Sequence, residues 1–327
     1  SIPFSNDHLT LGDIFESSDI TDFVLWYDPF SHGYIDHSEE PNDPGKAYWV
    51  FAYCDVTITI DEGEPVTSYD AEVNLGWNLV GTVCCERDIG NLSGPSLLDD
   101  LWYYNTVHST YYSTENITPF RGYWGFFTSE GVVHLECGAE DPPRNKPKNP
   151  TWLASIFIRN PVNDATYTLQ FALDDSATTE FDPDYDIPFP PMHPFFDPDT
   201  EFAAWFEVQQ PESLHLIRAI NEDKFSSEWT LRLCGPERWI IPDLKDVPEE
   251  LGFYLIAGPG EIYNLREVDS IHISGHRLCK LLMLDLTTRF QCVSDSAGID
   301  VPRPYIRGVS WLDYNNDGWQ DAGICAS

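Results

Sequence analysis

Positive charge is what this sequence has least of: 18 Lys and Arg stand against 54 Asp and Glu, a formal net charge of −36. A surface of that sign repels nucleic-acid phosphates and anionic lipid headgroups, so nucleic acid is excluded as a partner and divalent cations are favoured. Long apolar runs are missing too. None approaches the roughly 18 residues that span a bilayer as a helix, and no basic-then-apolar leader precedes Ser1. The chain is therefore expected to be mature, exported and not inserted in a membrane. Signatures of catalysis are equally absent. The nine histidines are scattered, with neither an HExxH nor a GxSxG pattern. His272 and His276 are four apart, but Ile273-Ser274-Gly275 between them reads as strand and turn, where that spacing does not align two ligands. No enzyme is expected.

What is present is a tandem repeat. Gly76-Trp77-Asn78-Leu79-Val80-Gly81 runs on to Arg121-Gly122-Tyr123-Trp124-Gly125-Phe126-Phe127, and an earlier copy of parts of this sentence exists. Leu25-Trp26-Tyr27-Asp28 answers Leu101-Trp102-Tyr103-Tyr104, and Gly45-Lys46-Ala47-Tyr48-Trp49-Val50-Phe51 answers the Tyr123-Trp124 segment. Ser1 falls where Gly81 follows the Gly-Trp-Asn-Leu-Val run, so the first copy lacks one strand's worth of sequence. Either the sequence begins partway through a larger polypeptide, or a processed subunit exposes a sheet left open at one edge, which a neighbouring molecule could fill by β-strand addition.

Within the repeats, Val56-Thr57-Ile58-Thr59-Ile60, Leu75 to Val80 and Val132 to Leu135 read as strands bounded by Gly-containing turns. The short acidic runs Leu11 to Phe15 and Ser96 to Asp100 read as one helical turn per copy. Trp26, Trp49, Trp77, Trp102 and Trp124 could form a sugar-stacking platform, but their recurrence at matching positions favours a role in the cores of two small sheets.

The eight cysteines, Cys54, Cys84, Cys85, Cys137, Cys234, Cys279, Cys292 and Cys325, lack zinc-ligand spacing, and disulfides are expected instead. Grouping by domain keeps the first four within the repeats and suggests Cys234 with Cys279 and Cys292 with Cys325. Sequons at Asn91 and Asn116 fit the same oxidising, external compartment.

Residues 139–150 hold four prolines in twelve residues and read as a linker. Seven or so short strand candidates follow in 151–286, from Trp152 to Leu284, and suggest a β-sandwich. Between them lies an acidic, proline-rich stretch in which Asp182, Asp184 and Asp186 could hold a cation, although the intervening proline favours a rigid acidic loop. The tail, 287–327, carries the strongest chemical signal, Asp313-Tyr314-Asn315-Asn316-Asp317-Gly318-Trp319-Gln320-Asp321. Side-chain oxygens of Asp313, Asn315, Asp317 and Asp321, with the carbonyl of Trp319 and a sharp turn at Gly318, are what Ca²⁺ needs from a short loop. Position 12 is Ile324, so the loop is not an EF-hand.

Three resemblances go with these motifs. The Gly-Trp-Asn-Leu-Val-Gly and Gly-Tyr-Trp elements, over about 138 residues, resemble a repeat of large secreted and surface-attached bacterial and archaeal proteins. The 151–286 unit resembles a β-sandwich module of bacterial secreted proteins, many of which end in a type IX-type sorting domain; none follows it here. The tail loop looks like that of FG-GAP-type repeats. Together they imply an all-β fold: repeats at 1–70 and 71–138, the linker, a sandwich at 151–286 and a calcium-binding tail. The function expected is an extracellular structural subunit of a surface fibre or layer, whose partners are copies of itself or other surface proteins. A glycan-binding or adhesive module, or an accessory region of a larger secreted enzyme, is the alternative.

Overall fold

The computed structural model describes residues 2–5, 9–17, 19–60, 63–88, 94–138, 146–208, 214–222, 226–286, 306–312 and 321–326, the last two stretches as backbone. The chain forms two compact units, Ser1–Asp285 and Leu286–Ser327. Its fold is all-β, with one four-residue helix among the described residues.

The first copy supplies β1 (Phe4–Ser5), the helix α1 (Leu11–Ile14), the hairpin β2 (Leu25–Asp28) and β3 (Gly33–Asp36), and β4 (Glu64–Pro65), which pairs with β1. Thr10 caps α1: its hydroxyl accepts from the Asp13 N–H, and the Asp13 carboxylate accepts from the Thr10 N–H. The second copy supplies β5 (Ser68–Val73), β6 (Gly76–Val80), β7 (Arg87–Asp88), β8 (Leu101–Asn105), β9 (Thr110–Thr114), β10 (Asn116–Ile117), β11 (Tyr123–Phe127) and β12 (Gly131–Glu136). Strands β6, β11, β8 and β9 form one sheet in that order, and β5 pairs with β12. The helical turn expected at Ser96 to Asp100 is absent. Leu97 instead bridges Phe127, and the Leu98 N–H donates to the Phe126 carbonyl, because edge pairing on β11 satisfies more backbone than one isolated turn would.

The expected open edge is closed by the chain itself. Lys46 bridges Val80, and the Gly81 N–H donates to the Gly45 carbonyl at 3.0 Å. Strand β6 therefore lies between the first copy's Gly45–Ala47 and the second copy's β11. One Gly-Trp-Asn-Leu-Val run serves both copies, which corrects the expectation that a neighbour fills this slot. Two motif glycines make the approach possible. A Cβ at Gly81 would overlap the Pro44 carbonyl oxygen, and one at Gly122 would sit 2.7 Å from the Ala47 Cβ.

Residues 146–285 add β13 (Ala154–Arg159), β14 (Thr166–Asp174), β15 (Ile187–Pro188), β16 (Ala203–Val208), β17 (Leu214–Glu222), β18 (Ser226–Cys234), β19 (Glu237–Asp243), β20 (Leu251–Gly258), β21 (Glu261–Asn264), β22 (Ile271–Ser274) and β23 (Arg277–Asp285). They build one large sheet in the order β21-β20-β23-β18-β16-β17-β14-β13-β19-β22, with β15 attached to β17. The strands expected of the sandwich join, by backbone pairing, into one large, nearly closed sheet. Its inner face follows strand alternation: Ala154, Ile156 and Ile158 on β13, and Cys279, Leu281 and Met283 on β23, are buried while their neighbours are more exposed. One hydrophobic cluster runs from Tyr27 and Trp124 of the repeats to Phe253 and Met283 of the large sheet, so the proline-rich linker does not separate two cores. In the tail unit, β24 (Ile306–Leu312) and β25 (Asp321–Ala326) form an antiparallel hairpin.

If β6 closes the first copy's sheet, Gly81→Ala should cost about 1–3 kcal/mol by overpacking, measured by urea unfolding. Gly258→Ala, where a Cβ meets nothing closer than 3.6 Å, should stay within about 0.5 kcal/mol. Equal effects would contradict the closure.

Candidate functional site

The aromatic residues of the two copies interlock. Tyr27 of β2 meets Trp124 of β11 edge-on at 4.8 Å, and Tyr104 of β8 meets Trp49 of the first copy edge-on at 5.3 Å. Each tyrosine also faces another across its hairpin, Tyr27 opposite Tyr34 and Tyr104 opposite Tyr111. In the folded protein Tyr27 therefore answers Tyr104, one residue beyond the match that the Leu-Trp-Tyr pattern suggests.

Into this seam runs a strap, Ile187 to Phe196. It starts as β15 on β17, and the Phe189 N–H donates to the His215 carbonyl at 2.7 Å. The Tyr34 hydroxyl donates to the Met192 carbonyl at 2.6 Å, and the Tyr111 hydroxyl to the Pro191 carbonyl at 2.8 Å. Burial drives both phenols far above their usual range, so they remain donors. The indole N–H groups of Trp49 and Trp124 lie toward these hydroxyls without closing a hydrogen bond. Phe189 is buried against Trp102, Tyr111, Tyr167 and Trp205. His193 holds Glu201 at 2.5 Å and packs between Trp49 and Tyr104. Sequence reasoning missed these roles, although duplicated hairpin tyrosines and the Pro188-Phe189-Pro190-Pro191 run were the visible signals.

Trp49, Tyr104 and Trp124 also line a cleft of about 540 Å³ with Phe4, Phe15, Tyr48, Leu79 and Phe120. That volume is typical of binding clefts. Arg121, stacked over the Tyr103 ring at 4.3 Å, is the one charged residue among its described lining. Ile58 and Ile60 line it too. Here the expected strand Val56–Ile60 fails to form. Asp55 to Ile60 is assigned to no strand, and its backbone makes no hydrogen bond among the described residues. Ile58 and Ile60 are half-buried, while Thr57 and Thr59 are exposed. The strand-forming alternation is kept, and what is missing among the described residues is a partner strand.

The other expected site residues are spread out. Cys85 and Cys137 form a disulfide. Cys54, Cys84, Cys234 and Cys279 are free thiols, which corrects the expected Cys234 to Cys279 bridge. Cys279 stands opposite Leu231, three residues along β18 from Cys234, so the pair is roughly 10 Å apart along the strand, beyond disulfide reach. Burial pushes the Cys234 thiol up to about 12 and that of Cys279 to about 11. Asp182, Asp184 and Asp186 do not converge. Asp184 pairs with Lys148 at 2.6 Å, and the Asp186 carboxylate is buried and accepts from the Ile220 and Asp182 N–H groups. Burial raises Asp186 to about 7. His272 stacks near Trp239, and His276 takes a contact from Arg232, apart from each other. Asn116 is exposed. Trp77, Trp102 and Trp124 are buried and Trp26 and Trp49 half-buried, as core residues are, which removes three of the five from any sugar platform. Asn91, Cys292, Asp313, Asn315, Asp317 and Trp319 lie outside the described residues; Asp321 and Cys325 are described only as backbone of β25. Among the described residues, no group of three or more His, Cys, Asp or Glu side chains could hold a metal ion, and no helix is long and apolar enough to cross a membrane.

Replacing Tyr34 and Tyr111 together by Phe leaves two strap carbonyls without their donors, and each should cost about 1–3 kcal/mol in chemical unfolding. Burial also depresses His215, stacked on Trp205 at 4.3 Å, to about 4. A base whose folded pKa lies below its unfolded value contributes stability above about pH 6.5 that is lost as pH falls toward 4. The stability of wild type relative to His215→Phe should therefore decline over that window. Asp186 acts in the opposite sense, since its raised pKa costs stability as pH rises from about 4 to 7.

No family model, curated protein or solved structure matches this chain.

Proposed function

We propose that the chain is a non-catalytic, exported subunit of a surface fibre or layer that joins its neighbours by β-strand addition, with Val56–Ile60 as the acceptor. The observation that carries this reading is a strand-forming run that lies along an apolar cleft without a backbone partner among the described residues. Folded proteins ordinarily cover or blunt such backbone, because unpaired N–H and C=O groups beside apolar side chains recruit other chains. Here the run is left open, and Ile58 and Ile60 already form one wall of a cleft that could take a partner's apolar side chains. The slot beside Gly45–Lys46, being filled by β6, has no part in it.

Export is supported by the Cys85–Cys137 disulfide, the exposed sequon Asn116 and the strongly acidic composition. Calcium belongs to the same proposal. Side-chain oxygens of Asp313, Asn315, Asp317 and Asp321 with the Trp319 carbonyl would hold it in the sequence between β24 and β25, as their pattern suggests.

Thr57→Pro with Thr59→Pro tests the acceptor. Both positions are exposed and their N–H groups have no partner among the described residues, so the prolines remove donors at little cost to folding. Wild type in millimolar calcium should associate with rising concentration in sedimentation equilibrium, and the double variant should stay monomeric with an unchanged melting temperature. Chelation should lower that temperature. Association of the variant equal to wild type, or a wild type that remains monomeric throughout, would overturn the proposal.

A further inference from the structure

Resting on that reading, we infer that the strand taken up beside Val56–Ile60 sets an aspartate or glutamate against Arg121 of the cleft, and that a second copy of this chain supplies it. The two repeats provide the comparison. Leu25 bridges Trp49 as Trp102 pairs with Trp124, and the Tyr53 N–H donates to the Asp19 carbonyl as the Thr128 N–H does to that of Ser96. Carried along the chain, this match makes Lys46 answer Arg121, Tyr48 answer Tyr123 and Asp43 answer Thr118. Both cations lie over a ring at matching positions, Lys46 over Trp26 at 4.6 Å and Arg121 over Tyr103 at 4.3 Å. The Tyr48 hydroxyl accepts from the Asp43 N–H at 3.3 Å, and the Tyr123 hydroxyl from the Thr118 N–H at 2.8 Å.

Against that shared geometry one difference stands out. The Asp43 carboxylate lies 3.6 Å from the Lys46 ammonium, whereas Thr118 in the same place leaves Arg121 without an acid. Every other lysine or arginine whose side chain is described meets a carboxylate or a carbonyl oxygen. Arg121 meets neither among the described residues, although the chain has 54 Asp and Glu, and it is the cation on the cleft that Ile58 and Ile60 line. In the free chain Arg121 is exposed and water solvates it. A strand laid over the cleft removes that water, and an unpaired guanidinium then opposes docking. A carboxylate on the strand cancels this cost with a charge-assisted hydrogen bond.

The second repeat shows the pattern of such a strand. There β12 answers Val56–Ile60, with Val133 and Leu135 at the positions of Ile58 and Ile60. Its partner β5 alternates the buried Ala71 and Val73 with Asp70 and Glu72, and Asp70 reaches across the pair to His134 at 2.6 Å. Apolar residues interleaved with acids are what a chain of 54 acidic and 18 basic residues has to offer, so a second copy carries what Arg121 lacks. The contact gives two acidic molecules a local attraction against the long-range repulsion of their net charge.

Sedimentation equilibrium of full-length variants in millimolar calcium tests the assignment. Arg121→Gln removes the cation, and Thr118→Asp keeps it but neutralises it from within, as Asp43 does for Lys46. Each should need about tenfold more protein than wild type to associate at low salt, a deficit that shrinks at high ionic strength. Lys46→Gln makes the same change in net charge at the matching position, outside the cleft lining, and should associate as wild type. If Lys46→Gln weakens association as much as Arg121→Gln, net charge is responsible and the inference fails. If Thr57→Pro with Thr59→Pro blocks association while Arg121→Gln and Thr118→Asp associate as wild type, the added strand brings no acid to Arg121, and strand acceptance at Val56–Ile60 survives. If none of these variants changes association, both readings fail.

Discussion

Two tyrosine hydroxyls bonded to two consecutive carbonyls hold the larger unit together. Tyr34 comes from the first repeat and Tyr111 from the second, and the carbonyls they reach belong to Met192 and Pro191 of a strap that otherwise pairs with the large sheet. Buried backbone must be satisfied group by group. Proline makes that problem smaller, since Pro190 and Pro191 have no N–H to place, and the tyrosines meet the carbonyls of Pro191 and Met192. The clamp lets an extended segment lie between two aromatic layers, and the layers then share one core. Phe189 is the clearest sign of it, touching Trp102 and Tyr111 of the repeats on one hand and Tyr167 and Trp205 of the large sheet on the other.

Much of the fold could be read from residue patterns. The strand-length alternations at Gly76–Val80, Val132–Leu135 and Ala154–Ile158 fold as strands because each has a partner on the edge it presents. Val56–Ile60 has the same alternation and does not, because propensity describes a surface that fits a sheet and cannot supply the sheet. The closure of the first repeat was hidden for a related reason. Counting strands per repeat assigns each strand to one sheet, whereas β6 uses its two edges for two copies, with Gly81 and Gly122 giving the room. The Cys234 and Cys279 pairing, inferred from grouping, failed on register, which no spacing rule contains. The clamp tyrosines stood in plain sight as repeated residues. Their donors' role depended on a strap some eighty residues beyond the second repeat's hairpin.

The larger unit carries its own stabilising contacts. The repeats, strap and large sheet satisfy one another within the chain, so the scaffold does not depend on a neighbour for its core. What is left over is a short run of backbone unpaired among the described residues, an apolar cleft beside it and a composition so acidic that copies repel at long range. Under the proposed function, those three features would favour a partner of matching strand geometry and limit indiscriminate aggregation.

Amide hydrogen exchange resolved to Thr57–Ile60, compared between dilute and concentrated protein, tests the central claim most directly. The account predicts near-unprotected exchange in dilute solution and protection that appears with concentration, while Gly76–Val80 is protected throughout. Protection of Thr57–Ile60 in dilute solution equal to that of Gly76–Val80, or none at any concentration, would contradict it.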